Sequence, residues 1–220
     1  MHTKLFSRRS LLLSGSVLVP MAFAQRLTGQ EFNAPGPAAH MMTDPMLAMQ
    51  LLMMGRKQIA LCELALPTLS DQAAKKFATT EIEEHEHLKS KLSKLGFEYK
   101  AASDVKSSDI AERQVAATQF LVDGRPLSAA DSVPLILMHQ VIRQGIDTQK
   151  TEMMRLSGQD FDHRFIESQL DAHYDLLDHD TVFREYASMN LNPVFHNTRD
   201  TIEKHISICK ELRKALAAAK

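Results

Sequence analysis

Along one stretch of the chain the apolar residues recur at intervals of three and four, as Ala74, Phe77, Ala78, Leu88, Leu92 and Leu95, and at the centre of that stripe stand Glu81 and His85. A period near 3.6 predicts an amphipathic helix that buries one face. A carboxylate and an imidazole one turn apart on the buried face constrain the fold more than any other feature. An uncompensated buried charge costs several kcal/mol, so Glu81 requires a partner inside the protein. The adjacent Glu83, Glu86 and His87 project away at 100° per residue and read as a solvated face, with Glu84 at its edge.

Three other segments repeat the pattern. The first helix is expected from Asp44-Pro45, read as an N-cap followed by proline, to the stop at Pro67; its stripe is Leu47, Leu51, Met54, Leu61 and Ala65, with Gln58 in the middle. Ser70-Asp71 caps the helix described above, and Gly96 ends it. A helix over about 160–189 carries Ile166, Leu170, Leu177 and Phe183 with His173 at the centre and Gln169 one turn before it. The last, opened by Asn192-Pro193, carries Phe195, Thr198, Ile202, His205, Cys209, Leu212 and Leu216. Between the second and third of these, residues 97–132 read as a polar connection with a short helix near 108–121 and a turn at Asp123-Gly124-Arg125-Pro126. A further helix begins near Ser132-Val133-Pro134, with Leu135, Met138, Ile142, Ile146, Met153 and Leu156 on one face and a stop at Ser157-Gly158. No strand signal and no repeat stands out.

Composition agrees with helix over sheet. There is no Trp, the chain holds 12 Met, and unbranched side chains lose little rotamer freedom in a helix. Lys4, Arg8 and Arg9 precede an apolar run over 11–18, and Ala22-Phe23-Ala24 fits a small-x-small cleavage site with Gln25 as the mature start. Ser7-Arg8-Arg9-Ser10-Leu11-Leu12 has the form of a twin-arginine signal, which implies periplasmic export of a folded chain. The organisation expected is a signal peptide over 1–24, a flexible leader over 25–43 containing Pro35-Gly36-Pro37, and one helical domain over 44–220. Removing the signal leaves 23 basic against 27 acidic residues, so nucleic acid is not an expected partner. No run in the mature chain approaches the ~20 apolar residues of a membrane span.

The chain also resembles a known family. Lys75-Lys76-Phe77-Ala78 followed by Glu84-His85, then Leu156-Ser157-Gly158-Gln159-Asp160-Phe161-Asp162, then His173 and His205, is similar to the motif series of the domain of unknown function 4142, a ferritin-like family of exported bacterial proteins. Here Glu84 replaces an Asp of that series, Gln58 falls where many members carry an acid, and Arg164-Phe165 stands where a Tyr is preferred. The resemblance implies a helical bundle and export, and no established activity.

The expected architecture is therefore all-α, a ferritin-like four-helix bundle in which a long crossover connection contains an additional helix. At ~1.5 Å rise per residue, and with the crossover, His85, Met54, His173 and His205 fall at depths of ~19–22 Å. Gln58, Glu81, Gln169 and Cys209 form a second layer at ~13–15 Å. Two readings of this core stay open. In one, His85, His173 and His205 hold a transition metal (zinc, copper or iron), with Met54 or Cys209 as a further ligand and Glu81, Gln58, Gln169 and Glu84 orienting the imidazoles. In the other, a metal-free hydrogen-bonded network fixes helix register in a non-enzymatic envelope protein that binds a protein partner. A di-iron oxidase is a third candidate: Glu84-x-x-His87 has the required spacing, but His87 points away and Glu63 lies on an outer face. The run Met41, Met42, Met46, Met49, Met53 and Met54 fits either copper(I) ligation or adaptable core filling, and Cys62 and Cys209 face inward at unequal depths.

Overall fold

A computed structural model describes residues 42–100 and 118–218. The expected signal peptide, nearly all of the leader, Met41 and most of the expected helix over 108–121 lie outside them. Among the described residues five helices form: α1 Asp44–Ala65, α2 Gln72–Lys94, α3 Ala129–Met153, α4 Gly158–Phe183 and α5 Asn192–Ala218. A three-stranded antiparallel sheet, β1 Phe97–Lys100, β2 Gln119–Val122 and β3 Arg125–Pro126, stands between α2 and α3.

Helix boundaries follow local chemistry. Thr43, not Asp44, is the N-cap of α1, which frees the Asp44 carboxylate to accept from the Ser188 N–H at 2.9 Å, just past the end of α4. Asp71 caps α2 by accepting from the Ala74 N–H at 2.8 Å. α3 starts three residues before the expected Ser132, because Ser128 accepts from the Asp131 N–H and caps the helix first; Pro134 then sits inside the helix rather than at its start. α4 ends at Phe183, short of the expected 189, and residues 184–186 turn away from it.

The sheet corrects the expectation of a polar connection without strands. Its strands have four, four and two residues, too short for alternation to stand out in sequence. Pairing opposes Phe97 to Val122 and Tyr99 to Phe120, and the rings of Tyr99 and Phe120 stack at 5.5 Å. The expected turn at Asp123-Gly124 is the β2–β3 hairpin turn, with both residues at positive φ (50° and 74°), the backbone that Asp-Gly favours. β2 occupies the last positions of the expected helix over 108–121.

Two polar anchors, one buried and one at the surface, set the axial register. Asp162, fully buried near the start of α4, accepts from the Ser70 N–H (2.9 Å) and the Asp71 N–H (2.8 Å) at the entrance to α2. Asp44 holds Ser188 at the opposite end. The first anchor joins the starts of α2 and α4, so these helices run the same way, and the second sets α1 antiparallel to α4. The 25 residues of α3 return the chain along the length of the others. One apolar core joins Cys62, Phe77, Phe165, Ile166, Ile202 and Cys209 from α1, α2, α4 and α5. A second, around Leu47, Met49, Met53, Leu92, Leu135 and Phe195, packs the sheet and α3 against the far end. Met49 and Met53 are fully enclosed there as core filling. No helix among the described residues is long and apolar enough to cross a membrane.

Candidate metal centre

Between the two apolar cores lies a polar cluster built on one carboxylate. Glu81 of α2 is 0% exposed, and its oxygens meet three imidazoles from three helices. Glu81 Oε1 lies 2.5 Å from His205 Nδ1 on α5 and 3.1 Å from His173 Nε2 on α4; Glu81 Oε2 lies 3.3 Å from His85 Nε2, one turn along α2. His173 Nε2 and His205 Nδ1 are 3.2 Å apart. The Phe77 ring walls the cluster one turn above Glu81, with centroids 6.3 Å from His173 and 5.7 Å from His205.

The three histidines named from sequence are thus brought together. Glu81 was expected one layer away, as a group that orients imidazoles, and it sits instead at the centre. Glu81 and His85 stand one turn apart on one face of α2, so their side chains meet directly, and His173 and His205 reach the same carboxylate from α4 and α5. Glu84 does stand outside the ring of donors: its Oε2 is 2.5 Å from His205 Nε2, and its Oε1 accepts from Lys204 Nζ at 3.2 Å. The His173 Nδ1–H donates to the Gln169 backbone carbonyl at 2.7 Å, so the Gln169 main chain, not its amide, orients this ring. Nε2 of His173 is thereby the nitrogen presented to the cluster. A second nitrogen held by a carbonyl or carboxylate is the usual outer support of a metal-ligating histidine.

The remaining candidates lie further out. Met54 packs, half buried, against the first apolar core. Cys209 is fully buried, and burial followed by the Glu81 charge pushes its thiol up to about 12; Cys62 is raised for the same two reasons, and both thiols are free. Gln58 and Gln169 bury their amides, with Gln58 Oε1 and both Gln169 amide atoms lacking hydrogen bonds. Glu63 and His87 are exposed, so the carboxylate-rich ligand set of a di-iron centre does not form among the described residues. Sequence reasoning missed Gly55 and Phe77 as members of the site. A Cβ at residue 55 would lie 3.1 Å from His85 Nδ1, so glycine lets the ring rest on the α1 backbone. A glycine in a helix interior, costing about 0.5–1 kcal/mol against alanine, was the available signal.

Electrostatics and hydrogen bonding bear on what the cluster can hold. Burial alone would raise the Glu81 pKa, but its contacts with His173, His205 and His85 outweigh that and hold it well below the usual carboxylate range. His173 is depressed by burial and raised further by Glu81, leaving a net rise. Despite the close approach, Glu81 Oε1, Glu81 Oε2, His85 Nε2 and His205 Nε2 make no hydrogen bond of good geometry. Donor atoms of Glu81, His85 and His173 all lie within 4.8 Å of one another. A tetrahedral ion with bonds of ~2.0–2.1 Å spaces its ligands at about 3.3 Å, and the contacts are of that order, His85 lying 3.3 Å from Oε2 and His173 3.1 Å from Oε1; the 2.5 Å Glu81–His205 edge would open by less than about 1 Å. Imidazoles with one carboxylate suit zinc, copper or iron better than magnesium or calcium, which prefer oxygen ligands. His85, His173 and His205 also line a cavity of about 320 Å³ walled by Leu51, Leu176, Val194 and Ile202, with Thr198 and Thr201 among its polar groups, so the cluster is reachable from outside.

No protein-family profile, curated protein or solved structure matches the chain.

Proposed function

We propose that the protein is an exported, ferritin-like four-helix bundle that binds one transition-metal ion through Glu81, His85, His173 and His205. The observation that carries this reading is the convergence of three imidazoles from three helices on one fully buried carboxylate at 2.5–3.3 Å, with most of the facing atoms lacking a well-formed hydrogen bond. The supports on the outer ring nitrogens of His173 and His205 add to it. The fold assignment draws on the shared direction of α2 and α4, the return of the chain through α3, and the resemblance to the domain of unknown function 4142 family. Periplasmic localisation draws on the twin-arginine pattern at Arg8-Arg9.

A second reading has its own observation. The lowered pKa of Glu81 and the raised pKa of His173 also describe a metal-free carboxylate–imidazolium core in an envelope protein that binds a partner. Thermal unfolding of chelator-stripped protein separates the two. A ligand present at ~1,000 times its Kd adds about 4 kcal/mol, and for a chain of this size each kcal/mol is worth about 2–4 °C, so saturating zinc, copper or iron should raise Tm by roughly 10 °C. His173→Ala and His205→Ala should not respond. A wild-type Tm unmoved by all three metals would leave the metal-free core as the reading.

A further inference from the structure

We propose that His85 is the exchangeable ligand of this centre, swinging over Gly55 into a second cavity and so opening the route by which the metal ion enters and leaves. The inference rests on the metal-binding reading and concerns how the site is loaded and emptied.

The four donors are not held alike. Glu81, His173 and His205 are at most 2% exposed. His173 is tied through its Nδ1–H to the Gln169 carbonyl, and His205 stands between Glu81 and Glu84 with a carboxylate against each ring nitrogen. The His85 side chain is 11% exposed, its Nε2 makes no hydrogen bond, and its Glu81 contact, 3.3 Å, is the longest of the three.

His85 also stands where two cavities meet. One is the 320 Å³ cavity that reaches His173 and His205. The other, about 470 Å³, lies along α1, α2 and β1 and extends to Phe97 and Tyr99. The two share Leu51, Gly55, His85 and Leu88 in their walls, so the imidazole is part of the partition between them. Gly55 is what lets the ring lie against the α1 backbone in its present position. The residue lies inside α1 at an ordinary helical φ, so backbone strain does not require glycine there, and its missing Cβ would stand 3.1 Å from His85 Nδ1. When the ring turns away, Glu81, His173 and His205 still hold the ion while one coordination position opens. A site of three protein ligands with a free position exchanges its fourth partner, whereas a closed site of four does not.

The test is the release of zinc from the zinc-loaded mature protein to an excess of chromogenic chelator, followed by absorbance. Gly55→Ala puts a methyl group 3.1 Å from the ring where it now lies and favours the swung position, and the expected result is one zinc per chain released at least threefold faster than from wild type. His85→Ala should still bind one zinc and release it at least tenfold faster. Release from Gly55→Ala that is unchanged or slower overturns the proposal, as does His85→Ala that binds no zinc or releases it at the wild-type rate. A wild-type protein that binds no zinc, copper or iron overturns the metal reading and this proposal together; stoichiometric zinc with unaltered rates in both variants overturns this proposal alone.

Discussion

At the scale of single residues, the site turns on what can neutralise Glu81. In the metal-free protein Glu81 rests against the surrounding imidazoles, and the shifts of Glu81 and His173 have opposite consequences for pH. Glu81 is held below its unfolded value of about 4.3, so its contribution is present above that pH and is lost as pH falls toward the folded pKa. His173 is raised above its unfolded value of about 6.5, so its contribution is complete below that pH and is lost as pH rises through the folded pKa. Metal binding needs neutral imidazole and releases protons, so it strengthens in the range where the metal-free core weakens. Unfolding scans at pH 5, 6.5 and 8, with and without zinc, should show metal-free stability falling between 6.5 and 8 and the zinc increment growing over the same interval. A zinc increment larger at pH 5 than at pH 8 would contradict this assignment of protons. The residue types were readable beforehand: a Glu and three His on apolar stripes announce a buried polar cluster. The place of Glu81 at its centre was not, because Cα depth takes no account of side-chain reach, and residues one turn apart such as Glu81 and His85 meet side chain to side chain. Nor was the contact with Gly55, which depends on how closely α1 and α2 approach.

At the scale of elements, the cluster depends on register. Three helices must bring one residue each to the same depth, and the anchor that aligns α4 with α2 is Asp162. It belongs to the Ser157-Gly158-Gln159-Asp160-Phe161-Asp162 stretch, the most specific part of the family resemblance. That stretch supplies structure in place of chemistry: Gly158 takes a positive φ of 55° at the start of the helix, Phe161 enters the core and Asp162 receives the chain at Ser70 and Asp71. Hydrogen bonds to a charged group are worth about 1.5–3 kcal/mol, so Asp162→Ala should cost roughly 3 kcal/mol in denaturant unfolding and weaken metal binding without touching a ligand. Asp162→Asn, which keeps an acceptor, should recover part of both. A loss below ~0.5 kcal/mol would remove Asp162 from this role. Most helices were readable because caps and period coincide, as at Asp71 and at Asn192-Pro193. The start of α3 was misplaced because Pro134 was read as a first helical residue, while Ser128 with Asp131 is the cap. The three strands escaped notice because pairing, not local pattern, makes Phe97 face Val122 and Tyr99 face Phe120.

At the scale of the whole molecule, the proposed export and the polar core are tested separately. Arg8→Lys with Arg9→Lys should block export through a twin-arginine route while leaving the folded domain unchanged, read as retention of uncleaved protein in the cytoplasm; a mature chain beginning at Gln25 in the double variant would contradict that route. Separately, the helices could have met around an apolar centre, and replacing a buried ion pair by well-packed hydrophobic groups is often neutral or stabilising. That Glu81 and three histidines occupy the centre is what the proposed ion would explain. The most direct measurement is the metal content of the exported protein purified without chelator, beside His173→Ala and His205→Ala prepared the same way. The account predicts one transition-metal ion per chain in the wild type and little or none in either variant. A wild-type protein free of metal, or variants that retain the wild-type amount, would contradict it.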